Sequence, residues 1–214
     1  MSLRLPDALQ SGDNNQAVCY LRAYYEPRPG TPLGMAYAGA RFDAWDSTGS
    51  RHADRNRFTA DDLVAVTCLN VTVSPKAAWV LLSGNPAPFS RLLEQVADQD
   101  LAEIYPCQIT PSWAPWQLWD QLRELPGIDW VIASKLIARK RPRLIPIYDR
   151  VVKTVTGGNR NFWVPLCSKL RQDDSTLHNR LLALRDEAEI PPHVPALRVF
   201  DIIAWMEGKQ RLGL

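Results

Sequence analysis

One short reach of the chain, LPGIDWVIASKLIARKRPRLIPIYDRVV over residues 125–152, gathers the side-chain types from which a phosphate-handling site could be built. Pro126 and Gly127 are a strong turn signal. A tight turn between two helices can leave backbone N–H groups at the start of the second one. Such groups hold a phosphate oxygen without reading base sequence. Gly127, Ile128 and Asp129 stand at that position. Lys135, Arg139, Lys140, Arg141 and Arg143 follow as candidate contacts to a phosphate backbone, and Arg150 and Lys153 could extend the same surface. Between them, after the apolar run Leu144–Ile147, comes the single carboxylate of Asp149. Two readings are open. The parts make a device that handles DNA, or they make an ordinary helical hairpin whose charges face water. The cations near the helix end also suit its dipole. Asp149 stands where an aspartate caps a helix well, and capping is compatible with a chemical role.

The elements that must position these groups are helical. TADD at 59–62 is a variant capping box, Thr59 with Asp62 in place of Glu or Gln, and it predicts a helix over 60–70. SPKAAWVLLSG opens on a Ser–Pro start signal and stops at Gly84. Amphipathic spacing predicts further helices in SRLLEQVADQ, WAPWQLWDQLREL, 130–141, 149–156, FWVPLCSKLRQD, STLHNRLLALRDEAE and PALRVFDIIAWMEGK. No series of alternating strands is present. The class is mainly α, with about eight or nine helices and no substantial sheet. Residues 1–15 are polar and expected to be frayed. Residues 1–58 form an irregular segment with one short helix (16–26), packed on a helical domain over 59–214. The long stretch 27–58 is rich in Gly, Pro, Asp and Arg, and a loop of that length is functional or mobile.

The hairpin then resembles a known pattern. Leu125, Pro126, Gly127 and Ile128, the small Ala133, the apolar run Leu144–Ile147 and Asp149 at the expected distance are similar to the helix-hairpin-helix motif of the HhH-GPD DNA glycosylase superfamily. The resemblance implies a helical HhH-GPD-like fold with the hairpin at 116–141. It implies base excision, with Asp149 as the essential carboxylate. Cleaving an N-glycosidic bond passes through a sugar cation, which one carboxylate can stabilise while it activates water. The base must first leave the stack. Asn70, in the loop after LVAVTCL, would fill the gap, and Trp113, Trp116, Tyr148 and Trp163 would wall the base pocket. For each tryptophan, packing in the core is the competing role. The sequence departs from the family at Asp129, where a glycine is expected, and at Val131, where bifunctional members carry a Schiff-base lysine. After the hairpin there is one cysteine, Cys167, so the family's iron–sulfur cluster has no ligand set. A monofunctional, cluster-free enzyme is implied. SKLIARKRPRLIPIYD also resembles an uncharacterised bacterial domain family, which would imply the fold and no activity.

Composition narrows the rest. Apolar residues are 46% and charged residues 22% of the 214, which argues for a packed core rather than disorder. A net charge of +2 means that any DNA-binding surface must come from local clustering. Cys19, Cys68, Cys107 and Cys167 are dispersed, without zinc or iron–sulfur spacing, and read as free thiols of a reducing compartment. Asp43, Asp46, Asp54 and His52 fit no metal-ligand pattern, although a small-molecule site over 37–62 is a third possibility. His178 and His193 stand apart. No metal or cofactor is expected. There is no signal-peptide core and no run of about 18 apolar residues, so the expectation is a cytoplasmic, monomeric protein that meets no membrane. The expected partner is DNA, double-stranded in preference. The alternative is a module of the same fold that binds DNA or protein and catalyses nothing.

Overall fold

The computed structural model describes residues 3–27, 30, 37–157 and 162–213. Of the 27–58 stretch, residues 28–29 and 31–36 therefore lie outside the described residues. The chain is mainly α, and no strand occurs among the described residues. The described residues form ten α-helices: α1 (Asp7–Gln10), α2 (Asn15–Tyr25), α3 (Ala60–Thr67), α4 (Pro75–Trp79), α5 (Ala87–Gln95), α6 (Ala114–Arg123), α7 (Trp130–Lys140), α8 (Arg150–Thr156), α9 (Trp163–Glu187) and α10 (Ala196–Leu212). Helix α4 runs on as a π-helical turn over Val80–Gly84. Helix α9 is broken at Gln172–Ser175, where three residues take positive φ, so FWVPLCSKL and TLHNRLLALRDE are two helical pieces joined by a kink.

The start of the chain corrects the expectation of a frayed terminus. Leu3, Ala8 and Leu9 are buried in the core. The backbone N–H groups of Asp7 and Ala8 donate to the buried carboxylate of Glu207 on α10 at 3.0 and 3.1 Å. A carboxylate at a helix start satisfies donors that have no partner within the helix. The sequence reading missed α1 because its signal is this distant acid.

Helix α10 is the hub. It packs against α8, α9 and α2, while α7 packs against α3 and α6. Most of α10 is buried, including Val199, Phe200, Ile202 and Ile203 at zero exposure. The capping box forms as read from TADD, with Thr59 N–H donating to Asp62 at 2.9 Å. Helices α6 and α7 are joined at Gly127, whose φ of 80° is open to glycine. Ser74, which caps α4, also donates its hydroxyl to the carbonyl of Pro126, tying this turn to α4.

The described part of the long loop, from residue 37 to the start of α3, is held by α7. Arg139 donates to the carbonyls of Phe42 and Trp45, and Arg141 donates to that of Arg55 at 2.8 Å and to Asn56 Oδ1 at 2.6 Å. From α3, Asp61 accepts the Ser47 N–H at 2.8 Å and the Trp45 indole N–H at 3.1 Å. The irregular stretch and the basic run thus complete each other.

Candidate functional site

Asp149 ends an extended segment and caps α8. Its Oδ1 accepts the N–H groups of Val151 and Val152, each at 3.0 Å. Its second oxygen lies 3.5 Å from Nζ of Lys135 on α7. Lys135 also donates to the carbonyl of Leu69 at 2.9 Å. One buried ammonium therefore ties the carboxylate to the end of α3. Burial pulls the Lys135 pKa down, and the facing Asp149 opposes that pull.

The next residue after Leu69 is Asn70, exposed and in the left-handed region at φ 57°, a conformation Asn tolerates better than most side chains. Asn70, Lys135 and Asp149 line one open cleft of about 710 Å³, with Asp129 at the α6–α7 turn, Arg150 and Lys209 also on its walls. Residues far apart in sequence, Asn70 and Asp149, are brought to one cleft, and the hairpin turn borders it.

Beneath the cleft lies a polar cluster absent from the sequence reading. Arg198 donates to Asp43 and Asp201, each at 2.8 Å, and to the Tyr24 hydroxyl at 2.8 Å. Burial works against the Arg198 charge, but Asp201, Tyr24 and Asp43 around it hold the guanidinium firmly protonated. Burial also pushes the Tyr24 phenol up to about 12. The signal was in PALRVFDIIAW: Arg198 and Asp201 are spaced i, i+3 inside an otherwise apolar helix, so both face the core and need a partner there.

Other assigned residues take different places. Arg139, Lys140 and Arg141 are buried, at 2, 7 and 4% exposure. Arg139 and Lys140 pair with the buried Asp62, and Arg141 reaches the carbonyls of Val96, Leu93 and Arg55. They neither face phosphate nor form a solvated helix end. Both readings are corrected, because the helix passes through the core and each cationic head is used by the fold. Arg143 is half-exposed and paired with Asp100. Asp129 spends its Oδ1 on the N–H groups of Val131 and Ile132, at 3.0 and 2.9 Å, so its carboxylate occupies the α7 start that a phosphate would need. Ile128 is buried, while Gly127 is exposed at the turn.

The aromatic residues assigned to a base pocket do converge, but not on Asp149. Trp116, Trp119, Trp130, Tyr148, Phe162 and Trp163 wall a cavity of about 310 Å³. Arg123, Ser134 and Lys153 complete its lining, and Asp149 is absent from it. The reason is local. Asp149 has extended backbone, and consecutive side chains in extended chain point to opposite sides, so Tyr148 enters the aromatic cavity while Asp149 enters the cleft. Trp113 packs edge-on against Trp163 at 5.7 Å without lining the cavity. Asp43 and Asp54 are occupied by Arg198 and by Arg57 with Ser50. Among the described residues no group of three or more potential metal ligands is assembled, and no helix is long and apolar enough to cross a membrane. The described cysteines are free.

The model of a family of unknown function, DUF6308, matches residues 17–208, which is most of the chain. No curated protein and no solved structure matches it.

Proposed function

This chain belongs to the DUF6308 family, and we propose that it acts on a nucleic acid in the cleft of Asp149, as a monofunctional N-glycosylase of the HhH-GPD kind. The observation that carries this reading is the meeting of Asn70, Lys135 and Asp149 in one open cleft beside the α6–α7 turn. In that cleft Asp149 supplies the carboxylate that faces a sugar cation and orients water. Asn70, exposed at the tip after α3, is the wedge that takes the place of a displaced base. Lys135 fixes the distance between them through its bonds to Leu69 and Asp149. Arg150, exposed on the cleft wall, is the cation offered to a backbone phosphate, with Lys209 on the same wall over the Tyr37 and Trp205 rings.

A specific observation favours a second reading, a module of the same fold without catalysis. Asp129 fills the start of α7, and Arg139, Lys140 and Arg141 are used internally, so the hairpin itself offers little to a phosphate.

The test is base release from duplex oligonucleotides carrying deaminated or alkylated bases, with a binding titration against salt. Release by the wild type, lost in Asp149→Asn with binding kept, is the expected result. Binding without release selects the second reading. Absence of binding even at low salt overturns both.

A further inference from the structure

The aromatic cavity is a site in its own right, independent of the reading given to Asp149. Six rings face it, and four of them are the indoles of Trp116, Trp119, Trp130 and Trp163. Tryptophan walls of this kind often receive cations, because the ring faces are electron-rich. Here that place is taken. The Arg123 guanidinium lies 4.4 Å above the Trp119 ring, and the Lys153 ammonium lies 5.9 Å from the Trp130 ring. Both cations line the cavity, and among the described residues no carboxylate does. Arg123 also pairs with Asp120 at 3.5 Å, but that carboxylate is not part of the lining, so a cationic ligand would meet two like charges on the wall. An anionic group on an aromatic body would meet the reverse.

The walls also select shape. Trp163 is at the centre of an edge-on cluster, 5.5 Å from Trp116 and 6.2 Å from Trp119, and Tyr148 stacks on Phe162 at 4.2 Å. Rings locked by one another present flat faces, which suit a flat ligand. The volume of about 310 Å³ lies at the small end of ligand pockets, which run from roughly 300 to 1,000 Å³. Tyr148 adds a further observation: its hydroxyl is buried and has no hydrogen-bond partner among the described residues.

We infer that this cavity binds a small planar aromatic molecule bearing an anionic group, with the ring between the tryptophans and the anion at Arg123 and Lys153. The probe is indole-3-acetate, titrated calorimetrically into the full chain, beside tryptamine and 3-methylindole, which keep the ring and change the charge. Indole-3-acetate should bind with one site and about tenfold or more tighter than either. Trp163→Leu should abolish binding. Because that variant removes a buried ring, Arg123→Gln with Lys153→Gln, at the more exposed rim, is the second variant. It should lower the affinity for indole-3-acetate to that for 3-methylindole. Equal or tighter binding of tryptamine, no binding of any probe at millimolar concentration, or binding unchanged in the rim variant would overturn the proposal. Displacement of indole-3-acetate by an unmodified oligonucleotide would also overturn it, by assigning the cavity to a nucleic acid. None of these outcomes depends on base release, so the assignment of Asp149 stands or falls separately.

Discussion

Lys140 donates to Asp62 at 2.7 Å with both side chains buried. Arg139 shares the same carboxylate at 3.2 Å, and so does the backbone N–H of Thr59 at 2.9 Å. One aspartate thus caps α3 and is the shared counter-ion of two cations at the end of α7. Removing it would leave two cations in the core without a counter-ion, a change that costs about 3–5 kcal/mol in other buried pairs. Asp62→Asn should lower the unfolding free energy by about that amount, read by urea denaturation. A loss below about 1 kcal/mol would mean that the carbonyls of Phe42 and Trp45 satisfy Arg139 unaided.

Tyr148 presents the opposite case, a buried polar atom with no partner among the described residues. Burying an unpaired hydroxyl costs about 1–3 kcal/mol. Tyr148→Phe should therefore be neutral or stabilising by about 1 kcal/mol at neutral pH. Burial pushes this phenol up to about 12, so its contribution is complete below the ordinary value of 10.0 and is lost as pH rises through 12. The variant should show a shallower fall in stability over that alkaline window, measured by denaturation at stepped pH. A destabilised variant would imply that the hydroxyl has a partner.

The local parts of this architecture were legible in the chain. Thr59 with Asp62 and Ser74 with Pro75 carry their capping chemistry within a few residues, and each pair caps the helix read from it. Asp149 caps α8 as one of its two readings had it. The basic run was not legible in the same way. Its partners are Asp62, Asn56, Asp100 and the carbonyls of residues 42, 45, 55, 93 and 96, all distant in sequence and more than half of them backbone, which leaves no local side-chain pattern to read. The site was half legible. Asn70 and Asp149 share a cleft, but the alternation that sends Tyr148 and Asp149 to different cavities is a property of the extended backbone between helices.

Lys135 gives a pH signature of the cleft. Burial lowers its pKa from the ordinary value of 10.5, more than Asp149 raises it. Between the lowered value and 10.5 the unfolded chain binds more protons than the folded one, so this group makes stability rise with pH. Lys135→Met should remove that rise. The difference in unfolding free energy between wild type and variant should shift in favour of the wild type as pH increases from neutrality towards 10.5. A difference that does not change with pH would mean that Lys135 is as well solvated in the cleft as in the unfolded chain.

Gly127 and Gly157 separate two costs that usually occur together. Both take positive φ, 80° and 65°, so alanine at either meets the same backbone strain, about 1 kcal/mol or more. At Gly157 an added Cβ meets open space, whereas at Gly127 it meets Cβ of Ser74 at 3.0 Å. Ser74 cannot retreat freely, because its hydroxyl holds both the carbonyl of Pro126 and the N–H of Ala77. Gly127→Ala should therefore destabilise the fold more than Gly157→Ala, by about 1–2 kcal/mol, in parallel urea titrations. The extra loss should shrink in a Ser74→Gly background, where the opposing Cβ is gone. Equal losses at the two glycines would show that the α6–α7 turn moves away from α4 without cost, and that the border of the Asp149 cleft is softer than its hydrogen bonds imply.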